Sequence, residues 1–105
     1  MPISVTEENF EQEVLQSGQP VIIDIYATWC GPCQQMEPVF QELEKEMGDI
    51  KFVKLNVDEA RDLSIKYGAV SVPTFLFIKD GQVVAKESGY KPKETLKELI
   101  ESNLK

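Results

Sequence analysis

The sequence predicts an α/β fold in which a central mixed β-sheet of about five strands is flanked by four helices on both faces. Three observations carry that expectation. Apolar runs of strand length alternate with stretches of helical periodicity through most of the chain. Near the end, two strand-like runs are joined directly by Asp80-Gly81, a two-residue hairpin signal. One run, Val21 to Ala27, is so nearly continuously apolar and β-branched that it needs cover on both sides. At 105 residues the chain is expected to form one domain, residues 1–105.

The elements run in order. Ile3 to Val5 makes a short first strand. Thr6 can cap a helix running towards Gln16, with Phe10, Val14 and Leu15 inward, and Gly18 and Pro20 close it. After the Val21–Ala27 strand, a helix opens near Pro32 and carries Met36, Val39, Phe40, Leu43 and Met47 at helical spacing before Gly48. Pro38 lies inside it and should bend it, because proline lacks a backbone donor and crowds the preceding turn. Lys51 to Val57 reads as a strand, and Ala60, Leu63, Ser64 and Tyr67 as a short helix ended by Gly68. Thr74 to Lys79 and Gln82 to Glu87 form the hairpin, and Leu96, Leu99, Ile100 and Leu104 line one face of a last helix. Strand–helix alternation implies parallel strands with right-handed crossovers, to which the hairpin adds antiparallel ones.

Composition removes several functions. The net charge is −7, and Lys and Arg do not cluster, which argues against nucleic acid and against anionic membranes. There is no apolar run near the roughly 20 residues of a membrane helix. The first ten residues lack the cationic and apolar regions of a signal peptide, so a complete cytoplasmic chain is expected. The absence of histidine excludes Ser–His and Cys–His nucleophile pairs and histidine-containing metal sites. No metal is expected.

Both cysteines lie in Trp29-Cys30-Gly31-Pro32-Cys33, after a strand and at the start of a helix. Unpaired N–H groups at a helix N-terminus carry partial positive charge and stabilise a thiolate. Cys30, at the mouth of the turn, is expected to be the attacking thiol, and Cys33, one turn in, the more buried resolving thiol. Pro32 suits the first helical turn and stiffens the loop. Exchange then proceeds through a mixed disulfide, its second step intramolecular. Closing so short a loop contributes only about 2 kcal/mol in the chain-entropy model, which favours a working disulfide over a structural staple. A zinc half-site would need two further ligands that the chain lacks, and the remaining alternative is an inert core pair.

Asp24 interrupts the apolar strand. An ionised carboxylate there would be costly, so its pKa should rise and make it a candidate acceptor for the Cys33 proton. The alternative is an aspartate at a strand irregularity or in a structural ion pair. Lys54 likewise interrupts Phe52, Val53, Leu55 and Val57, either as a snorkelling edge lysine or as a partner for Asp24.

Over essentially its full length the chain resembles the thioredoxin family. The likeness rests on Trp29-Cys30-Gly31-Pro32-Cys33, Asp24, Pro38, Lys54-Leu55-Asn56-Val57-Asp58, Val72-Pro73-Thr74, Asp80-Gly81 and Gly89. It implies the thioredoxin fold and a protein-disulfide reductase. Pro73 matches the family's cis-proline beside the disulfide. Trp29, Gly31, Pro32, Val72, Pro73 and Gly89 match the apolar surface where client peptides dock, and Asp24 and Lys54 match the buried acid and its lysine. It further implies a monomer with no bound cofactor, a thioredoxin reductase as partner (linked to NADPH and flavin, or to ferredoxin), and disulfide-containing client proteins. A related oxidase or isomerase would usually carry histidine between the cysteines. A non-enzymatic subunit role is the alternative from another class, and rescue of a thioredoxin-deficient host by a double cysteine-to-serine variant would separate it.

Tyr26, Gln34, Ser71 and Tyr90 depart from common family residues, and Gln34 replaces a usual lysine. Gln34→Lys is expected to lower the Cys30 pKa only slightly, since charge at an exposed position is screened. Its larger effect should fall on association with charged partners. Turnover at low and high salt, beside thiolate titration by ultraviolet absorbance, checks this. A large pKa drop with salt-independent turnover would contradict it.

Overall fold

A computed structural model describes residues 2–105 of the chain. Its five strands are β1 (Ile3–Val5), β2 (Val21–Tyr26), β3 (Lys51–Asn56), β4 (Thr74–Lys79) and β5 (Gln82–Ser88). The α-helices are α1 (Gly31–Glu46), α2 (Arg61–Lys66) and α3 (Lys93–Leu104). The sheet order is β1-β3-β2-β4-β5. β1 and β2 run parallel to β3, β4 runs antiparallel to β2, and β5 antiparallel to β4. This is the mixed five-stranded sheet that the alternation and the hairpin predict.

The period of two along each strand divides the core into two layers. Val21, Ile23 and Ile25 of β2 join Val53, Leu55, Leu76 and Ile78 on one face, under Phe10, Val14, Ala60 and Leu63. Ile22, Phe52, Phe75 and Phe77 lie on the other, under Met36, Phe40 and Leu43 of α1 and Leu96, Ile100 and Leu104 of α3. β2 is therefore covered on both faces, as its composition demands. Lys54 faces the α1 layer from β3, which lies between β1 and β2, so it is not an edge lysine.

The first helix differs from expectation. Thr6 is not its cap: the N-cap position falls on Phe10, which makes no side-chain cap hydrogen bond. Thr6 instead lies at the turn before it, its Oγ1 accepting from the Glu8 N–H at 3.3 Å and its N–H donating to Asn9 Oδ1 at 2.8 Å. The segment Glu11–Leu15 is π-helical, and the Gln16 N–H donates to the Glu11 carbonyl five residues back at 2.9 Å. That winding brings residues five apart onto one face, so Leu15 packs against the core together with Phe10 and Val14. The Lys51 ammonium fastens the segment to β3, donating to Glu13 Oε1 at 2.7 Å and to the Glu13 carbonyl at 2.8 Å.

α1 runs through Pro38 to Glu46. At the hairpin, Asp80 (φ 54°) and Gly81 (φ 77°) both adopt left-handed conformations, which a two-residue turn of this kind requires. Gly68 (φ 70°) ends α2. The Gly68 N–H donates to the Ile65 carbonyl and the Ala69 N–H to the Ser64 carbonyl, at 3.0 and 2.9 Å. This closure turns the chain towards Val72.

Phe40 is buried, with ring centroids 5.0 Å from Phe52 and 6.3 Å from Phe75. Phe40→Ala should destabilise the fold by about 3–5 kcal/mol, because an aromatic cavity between helix and sheet collapses poorly. Urea denaturation measures this, and a loss below about 1 kcal/mol would show that the layer repacks.

Candidate active site

The site is built where β2 ends and α1 begins. Cys30 is the N-cap of α1, in an extended conformation, and Gly31 and Pro32 form the first helical positions. Cys30 Sγ accepts from the Cys33 N–H at 3.2 Å, one of the donors that a helix start leaves without an intrahelical partner. The two cysteines are joined in a disulfide, with Cα atoms 5.3 Å apart.

Burial hardly separates the two cysteine residues. Cys30 is 6% exposed and Cys33 5%. Their surroundings differ instead. Cys30 Sγ lies 3.6 Å from the Val72 carbonyl oxygen, an acceptor for a thiol proton once the pair is reduced. Cys33 lines a cavity of about 280 Å³ together with Asp24, Tyr26, Glu37 and Lys54.

Asp24 is 1% exposed, and its Oδ1 has no hydrogen-bond partner among the described residues. Burial pushes its carboxyl up to about 7; Lys54 pulls it partly back, and Glu37 pushes it further up. Lys54 stands opposite Asp24 in the β2–β3 register. Its ammonium, however, pairs with Glu37 Oε1 at 3.2 Å and lies 4.4 Å from the centre of the Tyr26 ring. The cation beside the buried acid is thus held by an α1 carboxylate.

On the other side of the disulfide, the Val72–Pro73 peptide bond is cis. Trp29, Gly31 and Pro32 are exposed, Val72 and Gly89 are half-buried, and Pro73 is buried. Trp29 is 71% exposed, and its Nε1 donates to Asp58 Oδ2 at 3.3 Å. The Asp58 N–H in turn donates to Asn56 Oδ1 at 2.9 Å, so the end of β3 holds the indole. Sequence reasoning missed this contact, although Asn56-Val57-Asp58 carries the signal of such a side-chain turn. A groove of about 390 Å³ runs beside the indole, lined by Trp29, Val57, Ser64 and Ala69 to Val72.

The loop forming its wall is fastened from the sheet. The Thr74 hydroxyl donates to the Ser71 carbonyl at 2.6 Å and lies 3.2 Å from Ser88 Oγ. The Gly89 N–H donates to the Pro73 carbonyl at 2.8 Å, and Lys86 Nζ to the Gly68 carbonyl at 3.2 Å. Gln34 folds back, its Nε2 donating to the Thr28 carbonyl at 2.9 Å.

The sequence profile described as Thioredoxin matches residues 1–102. The chain belongs to the thioredoxin family. It is 46% identical over 103 residues to "Thioredoxin" of Bacillus subtilis (strain 168), covering 97% of each chain. It is 42% identical over 102 residues to "Thioredoxin 1" of Synechococcus elongatus, covering 96% of this chain and 95% of the relative. "Thioredoxin C-2" of Corynebacterium nephridii is 39% identical over 103 residues, with 97% and 95% covered. Family membership and the Cys30–Cys33 disulfide make the chain a thiol–disulfide oxidoreductase. Thioredoxins in general work with a reductase and with disulfide-bearing clients. Among the described residues no helix is long and apolar enough to cross a membrane, and no cluster of three or more His, Cys, Asp or Glu is placed to hold a metal.

Asp24 makes stability depend on pH. Its folded pKa of about 7 lies above its ordinary value of 3.8. The folded state is therefore favoured below about 3.8, and that stability is lost as pH rises through about 7. Asparagine does not titrate. Asp24→Asn should accordingly gain stability over the parent from pH 4 upward, reaching about 4 kcal/mol by pH 8. Urea denaturation at both pH values checks this, and a gap that does not change with pH would place the carboxyl in its ordinary range.

Proposed function

We propose that the chain is a general protein-disulfide reductase of the cytoplasm, acting as a monomeric single domain over residues 1–105. Cys30 attacks and Cys33 resolves. Asp24 accepts the Cys33 proton, with Lys54 beside it, and Trp29, Gly31, Pro32, Val72, Pro73 and Gly89 form the surface on which clients dock. The observation that carries this reading is that the two cysteines have different neighbours. Cys30 Sγ lies 3.6 Å from the carbonyl oxygen of Val72, a residue of the groove wall, whereas Cys33 lines the cavity that holds Asp24.

The chemistry runs as a two-electron exchange. The Cys30 thiolate, stabilised by the start of α1, attacks one sulfur of a client disulfide. A Cys30–client bond forms, the client S–S bond breaks, and the second client sulfur leaves as a thiolate that takes a proton from water. Cys33 then gives its proton to the Asp24 carboxylate, and the Cys33 thiolate attacks Cys30 Sγ. The mixed disulfide breaks, and the client sulfur that was bound to Cys30 leaves as a thiolate and takes a proton from water. The client departs as a dithiol; Cys30–Cys33 is oxidised and Asp24 returns its proton to solvent. A thioredoxin reductase, fed by NADPH and flavin or by ferredoxin, returns two electrons, and no cofactor resides on the chain itself.

The order of attack is tested by trapping. With Cys33→Ser, incubation with a disulfide client should accumulate a stable adduct on Cys30, identified by mass spectrometry after tryptic digestion. Cys30→Ser should accumulate none. Adducts found mainly on Cys33 would reverse the assignment. Asp24→Asn should slow single-turnover client release by about tenfold or more at pH 7, in keeping with loss of a proton acceptor.

A further inference from the structure

Glu37 is an exposed glutamate on the second turn of α1, and no step of the disulfide exchange uses it. Its side chain is half exposed, whereas that of Lys54 is 15% exposed. The carboxylate lines the same cavity as Cys33 and Asp24, and its Oε1 sits 3.2 Å from Lys54 Nζ. The strand register places Lys54 directly opposite Asp24, so the lysine stem starts beside the buried acid. The ammonium nevertheless stands against Tyr26 and Glu37, while Asp24 Oδ1 keeps no hydrogen-bond partner among the described residues.

We propose that Glu37 is a positioning residue for disulfide exchange: it tethers the Lys54 ammonium at the mouth of the cavity and so denies Asp24 a full ion pair. The inference rests on Asp24 being the proton acceptor. A directly paired Lys54 would hold Asp24 as a weakly basic carboxylate, poorly suited to taking a thiol proton. Shared with Glu37, the same cation stays close enough to keep Asp24 ionisable near neutral pH without quenching its basicity. The groups facing Asp24 are Cys33 and Glu37 from α1, Lys54 from β3 and Tyr26 from β2; β4 contributes only Phe75 across the register. The sign agrees with the geometry, since Glu37 raises the Asp24 pKa and Lys54 lowers it.

The test titrates Asp24 by carbon-13 carboxyl NMR in four oxidised proteins: the parent, Glu37→Gln, Lys54→Met and the double variant. Methionine keeps an aliphatic stem against Tyr26 while removing the charge. In Glu37→Gln the ammonium is free to swing to Asp24, and the titration midpoint should fall by about 0.5–1 pH unit. In the Lys54→Met background the same substitution should shift it by less than half as much. An unmoved midpoint, or a shift at least half as large without Lys54, would overturn the tether. Stability at pH 4, where Asp24 is protonated in every variant, should stay the same, so a general loosening of the fold would not imitate the result.

Catalysis is read separately. The acid limb of single-turnover client release should move with the midpoint in Glu37→Gln, and Asp24→Asn should abolish that limb. If Asp24→Asn keeps both limb and rate, Asp24 is not the proton acceptor, whatever the NMR shift. If Asp24→Asn abolishes the limb and Glu37→Gln leaves it in place, the role given to Glu37 fails and that of Asp24 stands.

Discussion

Strand β2 lies between β3 and β4 with Val21, Ile23 and Ile25 turned to one apolar layer and Ile22 and Asp24 to the other. A strand buried on both faces has no room for a slip, because moving it by one residue would exchange the two layers and carry the carboxylate into the wrong one. The alternation of Phe52 with Val53 on β3, and of Phe75 with Leu76 on β4, locks the same register from either side. The place where β2 leaves the sheet is thereby settled, and with it the start of α1 and the position of the cysteine pair.

Asp24 is the exception in that strand, and the exception has consequences along the whole row. Lys54 lies opposite it on one neighbour and Phe75 on the other, so one side of the row is charged and the other dry. Removing a carboxylate from water favours its neutral form, and a cation at a shared distance only partly offsets that. The outcome is a group whose protonation changes near neutrality, in a molecule with no histidine to supply one. The fold tolerates an uncomfortable residue at its centre, a pattern typical of functional positions.

Much of this was legible before the structure. Apolar continuity in Val21–Ala27 marked a strand with two covered faces, and Asp80-Gly81 marked the hairpin, because both signals depend on local sterics and periodicity alone. The motif from Trp29 to Cys33 placed the disulfide at a strand-to-helix turn for the same reason. What was not legible depends on choices that periodicity does not encode. Helical spacing in Phe10, Val14 and Leu15 is compatible with bonding four or five residues back, so the π winding of Glu11–Leu15 was invisible. Glu37 looks like any solvated helix glutamate until the β2–β3 register brings Lys54 beneath it. The near-equal burial of the two cysteines likewise comes from how the loop before Pro73 closes over Cys30, a contact across 42 residues of sequence.

The groove beside Trp29 and the cavity beside Asp24 have no lining residue in common. The two cysteines of one short loop thus have different surroundings: Cys30 Sγ lies against the carbonyl of Val72 in the groove wall, and Cys33 lines the cavity of Asp24. Under the proposed mechanism, a bulky client seated over the indole would leave the opposite entrance uncovered while still covalently attached. Proton traffic would then be insulated from the size of whatever is bound, and a single small domain could serve partners of very different dimensions without rebuilding its acid–base chemistry for each.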